Sequence, residues 1–217
     1  MSPRIKICCI SSREEASLAI ACGASALGLV AAMPSGPGVI GEELIAEIAE
    51  TIPPPIASFL LTSETSADAI ISQQRRCRTN TIQLCDEVEA GTYDALREAL
   101  PGISLVQVIH VKGSESISQA KGVAKHVDAI LLDSGNPSLE IKELGGTGRV
   151  HDWALSKIIR EECGVPLFLA GGLKAENVAR AIATVQPFGL DLCSSVRTEG
   201  RLDPRKLRAF MEACGVG

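Results

Sequence analysis

The chain has 217 residues, 46% apolar and 22% charged: enough to bury a sizeable core, and too lean in glycine and proline for a disordered or collagen-like chain. Its 21 basic and 26 acidic residues give a net charge of −5, and four Phe, one Tyr and one Trp offer little to stack on bases, so no nucleic-acid partner is expected. No apolar run approaches the ~20 residues that span a membrane, and the opening Met-Ser-Pro-Arg-Ile-Lys has no leader-like apolar stretch, so no membrane partner and a cytoplasmic setting are expected.

Short apolar, β-branched runs alternate with longer amphipathic stretches along the whole chain. A strand over 5–10 comes first, then a helix over 13–22 that Ser12 can cap, with Glu15 at capping-box spacing and Gly23 placed for a left-handed stop. Strands at 26–31 and 55–61 flank a helix at 41–50, and a helix at 66–77 leads to a strand at 81–85. The next helix, 91–99, is broken off by Pro101-Gly102 before a strand at 104–111 and a helix at 115–125. A very apolar strand at 128–134, a helix at 152–161 and a strand at 165–171 opened by Pro166 follow. A helix at 174–185, a strand at 189–194 and a last helix at 203–213 complete eight strand–helix pairs. Continuously apolar strands suit a parallel sheet covered on both faces. Eight consecutive βα units predict an α/β fold, a closed (β/α)8 barrel, as one domain over 1–217. The longest irregular stretches, 32–41 and 135–151, both follow strands, on the face where such barrels keep their sites.

Eight cysteines stand at 8, 9, 22, 77, 85, 163, 193 and 214. They form no Cys-x-x-Cys pair, and His110, His126 and His151 lie at no zinc-like spacing from them, so neither a metal site nor a disulfide framework is expected. Most read as small buried hydrophobes. The strand ends are more informative. Gly171-Gly172 and Ser194-Ser195 leave backbone N–H groups free to hold a phosphate. Asp133 closes the run Ala-Ile-Leu-Leu-Asp, where a carboxylate beside an apolar core is expected to have a raised pKa and to serve as a general acid. Alternation along the first strand sends one of Cys8 and Cys9 into the barrel and the other toward the helices. An inward thiol near a phosphate loop is a candidate base. His110 reads as a hydrogen-bonded strand-end histidine, and Arg75, Arg76 and Arg78 as a solvated helix terminus.

The segments KICCI (6–10), GASALGLV (23–30), IQLC (82–85), LLDS (131–134), GGTGRVHDW (145–153), LAGGLKAENV (169–178) and FGLDLCSSV (188–196) resemble the phosphoribosylanthranilate isomerase family in order and spacing. The resemblance implies a (β/α)8 enzyme that rearranges N-(5′-phosphoribosyl)anthranilate by acid–base catalysis, with no cofactor and no metal. It implies Cys8 as the base and Asp133 as the acid, a phosphate held on Gly146, Gly171, Gly172, Ser194 and Ser195, and Asp191 lining the pocket. The partner is then a small phosphosugar, and the chain a monomer or homodimer.

Four departures from the family pattern stand out. The family's Ser-Pro-Arg after the second strand, whose arginine holds the anthranilate carboxylate, is replaced by Met33–Val39, which contains no arginine. Losing that contact should cost about 2–3 kcal/mol of binding unless another cation replaces it; Arg197 is one candidate, although it follows a different strand. Cys85-Asp86 stand for the family's His-Gly, Cys9 for the glycine after the catalytic cysteine, and Cys193–Arg197 for Ser-Ser-Gly-Val-Glu. Two other readings stay open: a phosphosugar isomerase of the same barrel whose aglycone lacks a carboxylate, and a non-catalytic phosphate-ligand binding protein.

Overall fold

The computed structural model describes residues 2–135, 138–139, 142–144 and 150–215. Its eight parallel strands are β1 (Arg4–Ile7), β2 (Ala26–Val30), β3 (Ala57–Thr62), β4 (Thr81–Leu84), β5 (Ser104–His110), β6 (Ala129–Asp133), β7 (Leu167–Leu169) and β8 (Gly189–Leu192). Each pairs with the next in chain order, and β8 returns to β1 with Arg4–Ile7 opposite Gly189–Leu192, closing the barrel that the sequence predicts. Helices α1 (Arg13–Ala21), α2 (Glu42–Ala49), α3 (Ala67–Cys77), α4 (Thr92–Ala99), α5 (Glu115–Val123), α6 (Trp153–Cys163), α7 (Ala175–Val185) and α8 (Pro204–Ala213) follow the strands one by one. Among the described residues no helix is long and apolar enough to cross a membrane.

Local chemistry sets the element ends. The Ser12 hydroxyl accepts the Glu15 amide at 3.2 Å, and Gly23 takes φ 98° to let the chain turn out of α1. The capping box is only half made: the Glu15 carboxylate reaches the Ser11 amide and then turns away to Arg197. At the start of β3 the strand begins at Ala57 rather than Pro55, because proline brings no N–H to the ladder. Between β8 and α8 lies a ribbon not foreseen from the sequence, β9 (Arg197–Thr198) paired antiparallel with β10 (Arg201–Leu202). Its turn residues Glu199 and Gly200 both have positive φ, 51° and 78°, the geometry that matches strand twist in a two-residue hairpin. Arg76 and Arg78 pair on the surface with Glu42 and Glu50, as expected of a solvated terminus.

Strand alternation splits the apolar residues into two shells. Leu60 packs between sheet and helices, whereas its neighbours Phe59 and Leu61 fill the barrel interior with Val106, Ala129 and Leu131. Phe59 and Phe168 meet edge to face at 5.9 Å, and Phe168 meets Phe188 at 5.5 Å. This aromatic stack needs Gly189: a Cβ there would lie 2.5 Å from two Phe168 ring carbons. Gly189→Ala is therefore expected to destabilise the barrel by about 1–3 kcal/mol, read as a lower denaturant midpoint at unchanged slope. An unchanged midpoint would mean that the ring swings aside without cost.

Candidate active site

A cavity opens where the strands end, on the face where such barrels keep their sites. Its walls include Cys8, Asp133, Gly171, Gly172, Asp191, Ser194 and Ser195, so residues from β1, β6, β7 and β8 that the sequence singled out converge on one space. Gly146 lies outside the described residues.

One end of the cavity is made of backbone. Gly171 and Gly172 both take positive φ, 79° and 62°, a conformation that side chains disfavour and that frees successive amides. Asn177 ties this loop to the first turn of α7, donating to the Gly172 carbonyl at 2.9 Å and accepting from the Lys174 amide at 2.8 Å. The start of α7 and the Ser194–Val196 turn face the same space, a natural seat for an anion.

The floor carries buried charge. Lys6, fully buried inside the barrel, places its ammonium 2.8 Å from Asp191 and 5.1 Å from the centre of the Phe59 ring. Burial pulls the Lys6 pKa down, but Asp191 and then Cys8 push it up, and the net direction is up. Burial pushes the Asp191 carboxyl up against the opposing pull of Lys6. Gly28 leaves room for this arrangement, since a Cβ there would lie 3.0 Å from the Cys8 sulfur and 3.1 Å from the Lys6 nitrogen. Burial likewise raises the Asp133 carboxyl, against the Ser134 amide that donates to it at 2.7 Å, while Asp191 adds to the rise. Gln83 brings to the cavity a buried side-chain oxygen with no hydrogen-bond partner among the described residues.

Two expectations need correction. Cys9 does not point toward the helices. It stands past the end of β1 with φ 62°, and this left-handed step breaks the alternation and turns its side chain to the same cavity as Cys8. The Cys9 sulfur lies 2.7 Å from that of Cys193 and 3.8 Å from that of Cys8. Contact with Cys9 pulls the Cys193 thiol down, and contact with Cys193 pushes Cys9 up.

Arg197 does not enter the cavity to replace the loop arginine. Its guanidinium is buried, pairs with Glu15 at 3.0 Å, and donates to the carbonyls of Cys8 at 3.2 Å and Cys9 at 2.5 Å. The positive charge of the last strand loop is thus spent on holding the left-handed step after β1. His110, finally, is bonded through one ring nitrogen only: Nε2 meets the Cys85 carbonyl at 3.1 Å, while Nδ1 is buried without a partner among the described residues.

Lys6, Asn177 and Arg197 are the structural partners that sequence reasoning did not assign. A lysine inside an apolar strand was the one available signal, and its partner Asp191 is distant in sequence. The remaining rim thiol, Cys85, is pushed up to about 12, first by burial and then by Cys8.

The family model for N-(5′-phosphoribosyl)anthranilate (PRA) isomerase matches residues 5–213. N-(5′-Phosphoribosyl)anthranilate isomerase 2 of Methanosarcina mazei is 34% identical over 210 residues, covering 96% of this chain and 92% of that protein. The crystal structure of phosphoribosyl anthranilate isomerase from Thermotoga maritima superposes with a TM-score of 0.82 at 27% identity, over 98% of each chain. A further structure of such an isomerase, in complex with reduced 1-(o-carboxyphenylamino)-1-deoxyribulose 5-phosphate, gives a TM-score of 0.79 at 25% identity over 98% of each chain. With its barrel, its cavity and a match along nearly its whole length, the chain belongs to the phosphoribosylanthranilate isomerase family.

Proposed function

We propose that Cys8 and Asp133 carry the isomerisation of N-(5′-phosphoribosyl)anthranilate to 1-(2-carboxyphenylamino)-1-deoxyribulose 5-phosphate in this member of the family. The observation that carries this reading is the convergence of both side chains on one cavity that also holds the Gly171–Gly172 loop and Ser194-Ser195. The phosphate docks on that backbone end, anchored by the start of α7. The raised pKa of Asp133 suits a group that must arrive protonated: it gives its proton to the furanose ring oxygen, and the ring opens to a Schiff base. Cys8 then removes the C2′ proton, and the resulting enolamine tautomerises to the ketone. The proton that Asp133 gives to the ring oxygen is matched by the one Cys8 takes from C2′, and ketonisation exchanges the enol O–H proton for one at C1′, so substrate and product are isomers. The proton on Cys8 returns to Asp133 through solvent before the next turnover. Lys6 keeps Asp191 ionically paired beneath the substrate, leaving Asp133 as the carboxyl that titrates with turnover. We read the enzyme as cytoplasmic and as a monomer or homodimer, in keeping with a small phosphorylated substrate.

The test is direct. Purified protein mixed with freshly made phosphoribosylanthranilate should quench the anthranilate fluorescence with saturable kinetics. A folded protein that leaves the fluorescence unchanged would favour instead a phosphosugar isomerase for an aglycone without a carboxylate, the reading that the arginine-free loop Met33–Val39 supports.

A further inference from the structure

The proposed substrate is charged at both ends, with a phosphate on the sugar and a carboxylate on the ring. The glycine and serine loops serve the first. The opposite wall is formed by Val30, Met33, Leu61, Cys85 and Leu144, which are apolar and offer the carboxylate nothing. Among the described residues lining the cavity the one cation is Lys174, which sits beside Gly171–Gly172 at the phosphate end. Lys6 is fully buried and committed to Asp191, and Arg197 is committed to Glu15 and the β1 carbonyls.

Among the described residues a further cation borders the apolar side. Lys142 lies on the segment after β6, two residues before Leu144, a wall residue. The Ser35 hydroxyl donates to the Lys142 carbonyl, fastening the segment to the loop after β2, and Ser35 is itself a wall residue. The Lys142 ammonium pairs with Asp86, the residue after Cys85 on the same wall. Asp86 is almost wholly buried at 10% side-chain exposure, whereas the Lys142 side chain is 45% exposed. An ammonium has three donors and Asp86 takes one; on a side chain that is 45% exposed, the others can be turned to a ligand.

We propose that Lys142 receives the ring carboxylate of the substrate and that Asp86 positions it to do so. This makes Lys142 a specificity-determining residue, and the assignment rests on phosphoribosylanthranilate being the substrate. The pair also explains why Asp86 is tolerated at the anionic end of the ligand: with Lys142 in place its charge is balanced, and without Lys142 it would repel the carboxylate.

The experiment compares two substrates, phosphoribosylanthranilate and the carboxylate-free phosphoribosylaniline. Lys142→Met should raise KM for the first by about 10-fold or more, the worth of one charge-assisted contact, with kcat little changed. KM for the second should stay as in the wild type, and Lys142→Arg should restore the first. Lys142→Met leaves the nearly buried Asp86 without its ionic partner, so Lys142→Met/Asp86→Asn is measured beside it. The same split between the two substrates in both variants, each with a folded-state Tm, ascribes the loss to the missing cation rather than to the bared carboxylate. Equal effects on both substrates, or none on either, overturn the assignment while leaving the isomerase reading intact. A wild-type enzyme that turns over only the aniline compound overturns both.

Discussion

Cys8→Ser and Asp133→Asn should each lower kcat by about 10²- to 10⁴-fold, the range in which a positioned acid or base acts, while a phosphorylated product analogue still binds nearly as tightly. The split follows from the layout of the cavity: the two side chains stand on β1 and β6, whereas the anion seat is backbone on the β7 and β8 loops. Asparagine can keep the contact with the Ser134 amide that Asp133 now accepts, so the second variant removes a proton rather than a shape. The pH dependence carries the same information. Burial raises the Asp133 pKa, and an acid works only while protonated, so kcat/KM should fall on the alkaline side as Asp133 ionises. The residual activity of Asp133→Asn should lack that alkaline limb. If both variants retain wild-type kcat, the acid–base assignment is wrong; calorimetry with the product analogue tells a catalytic loss from a lost pocket.

Arg197→Met is expected to have the largest effect on stability. It strips a part-buried carboxylate of its ionic partner and leaves the carbonyls of Cys8, Cys9 and Gly200 without their donor. Breaking one side of a buried ion pair costs about 3–5 kcal/mol, which for a chain of this size lowers Tm by roughly 6–20 °C. Adding Glu15→Gln to the variant should recover part of the loss, since an unpaired neutral amide is less costly than an unpaired charge. Acid sets the sign of a second check. Burial pushes the Glu15 carboxyl up, but Arg197 together with the Leu202 and Ser11 amides outweighs it, and the net pKa lies below its ordinary 4.5. The pair therefore contributes its full stability above about pH 4.5 and loses it as pH falls through the lower folded value. The gap between wild type and Arg197→Met should narrow over that interval; a constant gap would locate the effect in the carbonyl contacts rather than the ion pair.

How far the molecule could be read from its residues depends on whether a feature is local. Strand–helix alternation, the Ser12 cap and the Gly23 stop are short-range patterns, and the barrel follows from their number. Asp133 at the end of an apolar strand and Gly171-Gly172 at the end of another were legible for the same reason: position along a strand fixes height in the barrel. Cys9 was not, because nothing in its neighbours announces a left-handed cysteine, and alternation was the only guide. The Glu199-Gly200 hairpin escaped notice for want of the usual Asn-Gly signal. Lys6 with Asp191, and Arg197 with the carbonyls of β1, join residues from opposite ends of the chain. Such pairings exist only once the barrel closes, so no window of sequence contains them.

That closure has a consequence for how the protein comes into being. Cys8 is made with the first strand of the barrel, yet everything that seats it comes with or after the eighth: β8 beside β1, Asp191 on Lys6, Cys193 against Cys9, and Arg197 on the carbonyls of Cys8 and Cys9. A nascent chain halted before β8 has β1 made but unfastened, with Lys6 still lacking its counter-charge. The seam between β1 and β8 is therefore the last joint of the barrel to close, and the cavity is completed with it.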